Sequence, residues 1–149
     1  MKLQVYLDTS VISASVDDRM PERQKETEEL FHRLSEFEVS ISELTLTEIE
    51  NTRDEEKRNQ MSRIISPFQV LEITDEMRKL REIYLRDEVF SPASIDDALH
   101  VACAVISRVD ILVSWNFRHL VRRTRRALIN EVNIRHGFPT IDIVSPPEI

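Results

Sequence analysis

Residues 2–7 (KLQVYL) are apolar and rich in strand formers, and the run breaks at Asp8-Thr9-Ser10. Pro21 opens a helical pattern, PERQKETEELFHRLSEF, in which Leu30, Phe31 and Leu34 return at helical spacing and the proline suits a first turn. Residues 39–41 read as a second short strand, and Ser42 as the N-cap of a helix through Leu44, Leu46, Glu48 and Ile49. Residues 53–65 predict a charged amphipathic helix stopped before Pro67, residues 68–73 (FQVLEI) a third strand, and Thr74 caps a helix running to about Arg86. Beyond Pro92 and Ser94 lies the most apolar helix, IDDALHVACAVISRV. Its Ile95, Ala98, Leu99, Ala102 and Ile106 form a core face at spacings of three and four. Residues 110–113 predict a fourth strand, 117–135 one or two helices, and 141–144 a last strand. Short apolar strands alternating with helices imply a parallel sheet covered on both faces. No repeat, linker or low-complexity run divides the chain. The expectation is one α/β domain over residues 1–149, with a central parallel sheet of four to five strands flanked by helices.

Composition narrows the chemistry. The only glycine is Gly137, so neither a P-loop nor a dinucleotide fingerprint can be built. Cys103 is alone, which excludes an internal disulfide and a cysteine-rich zinc site. The four histidines, at 32, 100, 119 and 136, lie too far apart for HExxH, and there is no G-x-S-x-G. Carboxylates remain in abundance. No stretch approaches the roughly 18 apolar residues of a membrane span, and the first seven residues are too short for a signal peptide. The sequence therefore predicts a soluble cytoplasmic protein with no membrane partner.

The net charge of −7 argues at first against nucleic acid, but its distribution changes that. Residues 17–60 hold 14 acids against 7 bases, whereas residues 61–149 hold 12 of each. Within the balanced half, residues 118–126 (RHLVRRTRR) carry five arginines and no acid, a local basic patch.

Ligands of an open parallel sheet bind beyond the carboxyl ends of the strands, where strand order reverses. Asp8 ends the first strand and Ser114-Trp115-Asn116 ends the fourth. Glu48 lies about a turn and a half into the helix after the second strand, and Asp96 and Asp97 open the apolar helix that feeds the fourth. Carboxylates from distant segments thus meet on one rim. Such a cluster raises its own pKa values unless a cation compensates it. Oxygen donors without cysteine or paired histidine favour Mg²⁺ or Mn²⁺, which suits phosphodiester hydrolysis. Taken singly, each residue has a plainer role: Asp8 as a turn cap, Glu48 as a solvated helix residue, Asp96 and Asp97 as dipole partners, His100 as a packed histidine, and the arginine run as a solvated face.

VYLDTSVI, SISELTLTEI, DALHVACA and ILVSWNF, in that order and over nearly the whole chain, resemble the ordered motifs of PIN domains. The resemblance implies a three-layer α/β fold and Mg²⁺- or Mn²⁺-dependent ribonuclease activity. VapC-like toxins of type II toxin–antitoxin pairs are one branch of such domains, which implies a cognate antitoxin partner and a homodimer. Carried over, Asp8 matches the first family acid, Glu48 the acid after the second strand, and Asp97 the acid opening DALH, which helical periodicity alone does not separate from Asp96. The strand-end motif, Thr/Ser-x-Asp in the family, reads Ser114-Trp115-Asn116 here, so the fourth acid is an amide. Asp8, Glu48 and Asp97 are the expected metal ligands and, with Asn116, the expected catalytic set. Ser10, Ser114, Asp96 and His100 support them, and Arg118, Arg122, Arg123, Arg125 and Arg126 are expected to bind the RNA backbone.

Two other classes share features with this sequence. A phosphoacceptor receiver domain shares the doubly wound look, but it requires an acid pair near the first strand, an Asp ending the third and a Lys after the last. Here Ile73 is followed by Thr74-Asp75, and residues 137–149 contain no Lys. The other is a weak or inactive PIN-like protein that binds RNA or a partner without cutting, which Asn116 favours.

Overall fold

The computed structural model describes all 149 residues. Its five strands are β1 (Leu3–Leu7), β2 (Phe37–Ser42), β3 (Gln69–Leu71), β4 (Ile111–Val113) and β5 (Asp142–Val144). All pairs are parallel, in the order β3-β2-β1-β4-β5. The chain builds outward from β1 to β3, then crosses back to lay β4 on the other side of β1. The reversal of strand order therefore falls between β1 and β4, where Leu7 pairs with Val113.

Because strand residues alternate between faces, the sheet splits the core in two. Tyr6, Leu112 and Ile143 face α5 (Asp75–Arg86), α6 (Ile95–Ile106) and α7 (Arg123–Arg135), joining Met77, Leu80, Tyr84, Ile129 and Val132. Val5, Leu7, Val113 and Val144 face the opposite way. They pack with Val11 and Ile12 of α1 (Thr9–Ala14), Leu30 of α2 (Pro21–Phe31), Ile49 of α3 (Glu43–Glu50) and Met61 of α4 (Glu55–Ile64). The result is the three-layer α/β arrangement expected from the alternation of elements. In α6 every residue from Ala98 to Val105 is buried, which accounts for its nearly all-round apolar composition.

The differences from the sequence expectation are local. Residues 9–14 form α1, which the pattern did not announce. At six residues, with β-branched Val11 and Ile12, it has no stability of its own, and full burial of those two side chains holds it. The third strand is three residues long, because Ile73 N–H leaves the sheet to donate to Glu43 Oε1 at 2.7 Å. β2 extends to Phe37 because β1 offers it a partner as far back as Leu3. The segment 117–135 is two pieces: a π-helical turn, Phe117–Val121, then α7, separated by extended Arg122. No helix is long and apolar enough to cross a membrane.

Candidate active site

Asp8 leaves β1 and immediately caps α1. Its Oδ1 accepts from the Ser10 N–H (3.0 Å) and from the Ser10 hydroxyl, and its Oδ2 from the Ser114 hydroxyl (2.6 Å). Ser114 stands at the end of β4, so this last bond spans the switch point. Ser10 Oγ in turn accepts from Trp115 N–H, and Ser114 Oγ from Asn116 N–H, both at 2.9 Å. Asp8 is only 3% exposed. An ionised carboxylate has about four lone-pair positions; three are used, leaving one on Oδ2.

Glu48 projects from α3, and Thr9 and His100 hold it. Thr9 Oγ1 donates to its Oε1 at 2.7 Å, and His100 Nε2 lies 2.6 Å from the same oxygen. The other ring nitrogen of the buried His100, Nδ1, is 2.6 Å from the Tyr6 hydroxyl, which is 2.8 Å from Ser42 Oγ. A proton on Nε2 satisfies Glu48 and leaves Nδ1 to accept from Tyr6. A chain of bonds thus runs from the β2 edge through Tyr6 and His100 to Glu48.

Asp97 is half-buried in the first turn of α6, whereas Asp96 is exposed. Burial and the charge of Asp8 push the Asp97 carboxyl above its ordinary value, against the pull of His100, His119 and the Asn116 amide. Asp8 is raised too, first by burial and then by the Glu48 charge, against His100 and its two serine hydrogen bonds. Burial would also raise Glu48, but the hydrogen bond and charge of His100, with the bond from Thr9, hold it below the usual range. For His100 burial acts downward, and the bond to Glu48 with the charges of Asp8, Glu48 and Asp97 outweighs it, so the imidazole is raised. The rim therefore contains one satisfied carboxylate, Glu48, and two strained ones, Asp8 and Asp97.

No three His, Cys, Asp or Glu side chains form a ready-made metal cage. Glu48 is drawn back by Thr9 and His100, while Asp8 and Asp97 repel each other. A buried carboxylate and a half-buried one that it pushes up, surrounded by oxygen donors, fit a hard divalent cation with water completing its shell. Asn116 Oδ1 accepts from His119 N–H at 3.1 Å, and the Asn116 side chain acts to lower the Asp97 carboxyl.

The arginine run divides. Arg125 donates to the backbone carbonyls of Val89 and His119 (3.4 Å to the latter) and lies 5.4 Å over the Phe90 ring. Arg126 donates to the Val121 carbonyl and pairs with Glu148 at 2.8 Å. Both hold the fold together. Arg118, Arg122 and Arg123 are exposed and form no ion pair or side-chain hydrogen bond. Sequence reasoning missed Tyr6, Thr9 and His119. Thr9 had a signal, its place directly after Asp8, but the contacts of Tyr6 with Ser42 and His100, and the action of the His119 charge on Asp97, cross between elements and leave no local pattern.

The sequence pattern of the PIN domain matches residues 5–123, and the chain belongs to that family. No curated protein matches it. Its fold is similar to a chain in the crystal structure of VapBC2 from Rickettsia felis bound to a DNA fragment from their promoter. There the TM-score is 0.60 at 13% identity, over 96% of this chain and 98% of that one. It is similar also to a chain of a toxin–antitoxin complex from Klebsiella pneumoniae, with TM-score 0.62 at 16% identity, over 98% of this chain and 100% of that one.

Proposed function

We propose that this PIN domain is a Mg²⁺- or Mn²⁺-dependent endoribonuclease, the toxin of a type II toxin–antitoxin pair, working in the cytoplasm as a homodimer of single-domain chains. The observation that carries the reading is the buried Asp8 with the half-buried Asp97 beside it, whose carboxyl the Asp8 charge pushes up, at the switch point between β1 and β4. Membership of the PIN family and likeness to chains of two toxin–antitoxin complexes support it.

Asp8 would hold the cation through the free lone pair of Oδ2, with Asp97 beside it and Glu48 reaching it through water. When bound, the ion would lower the pKa of an attacking water and stabilise charge developing on the phosphodiester. The remaining residues position these groups. Ser10 and Ser114 fix Asp8, Thr9 and His100 fix Glu48, and Asn116 steadies Asp97 by hydrogen bonding rather than by coordination. Arg118, Arg122 and Arg123 would take the RNA backbone. A cation of any kind is welcome at this rim, so an antitoxin would block it with an arginine.

The test is cleavage of single-stranded RNA with Mn²⁺, with EDTA, and by Asp8→Asn. EDTA abolishes cleavage, and Asp8→Asn lowers it by about two orders of magnitude, at or beyond the upper range for groups that merely orient metal ligands. Activity undiminished in EDTA would sink the metal claim. RNA binding without cleavage in the Mn²⁺-loaded wild type would instead support the non-cleaving reading that Asn116 motivates.

A further inference from the structure

Beside the carboxylate rim lies a cleft of about 330 Å³, on the scale of a small-ligand pocket. Ser10 and Asn116 line it on the rim side, and Asp17, Met20, Arg23 and Trp115 are among the residues that line the remainder. The indole is fixed. Trp115 Nε1 donates to the buried Thr27 hydroxyl at 2.9 Å, and its backbone N–H donates to Ser10, the residue that holds Asp8. Phe117 tilts against it with ring centroids 6.1 Å apart, yet 43% of Phe117 is exposed, as is 44% of Met20. Arg23, on α2, lies 5.1 Å over the Trp115 ring and 5.8 Å over the Phe117 ring. Arg23 is half-buried, and its guanidinium has no carboxylate or hydrogen-bond partner. The one acid in the cleft, Asp17, is already paired with Arg19 at 2.9 Å and lies 3.9 Å from Lys57. A fixed aromatic surface and an unspent planar cation thus adjoin the candidate active site.

We propose that this cleft, with the exposed Phe117 ring that stands outside its lining against Trp115, is a nucleotide subsite, binding the nucleotide of single-stranded RNA next to the scissile phosphate: its base stacks on Phe117 at the cleft's margin and its phosphate meets Arg23. Stacking on an aromatic face suits unpaired bases, and the guanidinium fork matches phosphate geometry. Arg23 supplies the charge complementarity in a neighbourhood that is otherwise acidic. A duplex cannot present a splayed base to it, so the subsite selects single strands. A larger cleft of about 500 Å³, lined by Asp18, Asp54, Glu56, Lys57 and Arg63, shares no residue with the rim and offers no aromatic face.

The proposal rests on the ribonuclease reading, and one experiment separates the two. Trp115 is the only tryptophan, so its emission reports on the cleft directly. Fluorescein-labelled hexaadenylate and hexauridylate are titrated into the Asp8→Asn protein while label anisotropy and Trp115 emission are followed together. The expected result is a saturable change in emission with the same midpoint as the anisotropy. Phe117→Leu then weakens binding tenfold or more, Phe117→Tyr restores it, and Arg23→Gln flattens the salt dependence. Thermal melting confirms that each variant is folded. Binding seen by anisotropy with Trp115 silent and Phe117→Leu without effect would overturn the subsite, give the cleft to a protein partner and leave the ribonuclease reading standing. Absence of any binding to single-stranded RNA would overturn both.

Discussion

A carboxylate as buried as Asp8, raised by that burial and by the Glu48 charge, costs stability unless a cation neutralises it. Asp8→Asn removes that charge at nearly constant volume, so the inactive variant should melt a few degrees higher than wild type in EDTA. Saturating Mn²⁺ should raise the wild-type melting point, by the equivalent of about 2.7 kcal/mol at a hundred times the dissociation constant, and leave the variant unmoved. A wild type indifferent to Mn²⁺ in this assay would argue against a metal at the rim. Asn116 makes a separate case. Its side chain acts to lower the Asp97 carboxyl, and its Oδ1 caps the π-helical turn at His119. Asn116→Asp keeps the cap but sets a third charge against Asp97. It should lower stability in EDTA and tighten Mn²⁺ binding, both readable by calorimetry. Unchanged Mn²⁺ stoichiometry and affinity would mean that Asn116 has no part in metal occupancy. The strand-end placement of Asp8 and Ser114 was readable in the sequence because strand ends are marked by abrupt changes of polarity. The choice between Asp96 and Asp97 was not, since adjacent positions in a first turn differ only in what lies opposite them. The link from Tyr6 to Glu48 through His100 was hidden for the same reason.

Three helices end in the same way, and only one has the residue that ending prefers. After α7, Gly137 adopts φ +80° while Phe138 N–H bonds to the Asn133 carbonyl (2.8 Å) and Gly137 N–H to that of Ile134 (3.1 Å). The same bonds close α5 at Glu88 (φ 59°) and α6 at Arg108 (φ 57°), through Val89 to Tyr84 (3.0 Å) and Val109 to Ala104 (3.1 Å). A left-handed conformation costs a side chain about 1–2 kcal/mol, which glycine avoids at some cost in unfolded-chain entropy. Both side chains are exposed and make no ion pair. Glu88→Gly and Arg108→Gly should therefore each stabilise the protein by about 0.5–1 kcal/mol in urea unfolding, and additively, since they terminate different helices. A loss of stability in either would show that the side chain contributes something the contacts do not reveal. At this scale most of the fold was legible, because strands and helices declare themselves by period. The exceptions were elements that tertiary contacts make or unmake. α1 exists because Val11 and Ile12 are buried, and β3 is short because Glu43 captures the backbone of Ile73.

Over the whole molecule the run of five arginines is partly a fastening and partly a surface. Arg126 meets Glu148, whose Oε2 also accepts from the Ser145 N–H (2.7 Å) and hydroxyl (3.0 Å), so the C-terminal turn is clasped to α7. Burial would raise Glu148, but those bonds and Arg126 hold its pKa below the ordinary value. Its contribution is then complete above the unfolded-state pKa and is lost as the pH falls through the folded one. Glu148→Gln should cost no more than about 1 kcal/mol at neutral pH, a partly exposed pair being worth little. The difference from wild type should shrink on acidification, and urea midpoints at two pH values would show it. A difference that does not change with pH would mean that the carboxylate charge is irrelevant to the clasp. Arg118, Arg122 and Arg123 remain free, in the half of the chain where charge is balanced rather than acidic. Single-stranded nucleic acid releases counterions so that log affinity falls with log salt by about 0.7 for each phosphate neutralised. Replacing these three arginines by glutamine should flatten the slope for a single-stranded oligonucleotide by about 2 and leave the melting temperature unchanged. Arg125→Gln should do the reverse, keeping the slope while lowering the melting temperature, because the Val89 and His119 carbonyls lose their donor. If the triple replacement keeps the wild-type slope, the exposed arginines do not bind the backbone, and the RNA path must cross the rim on its other side, past Arg23.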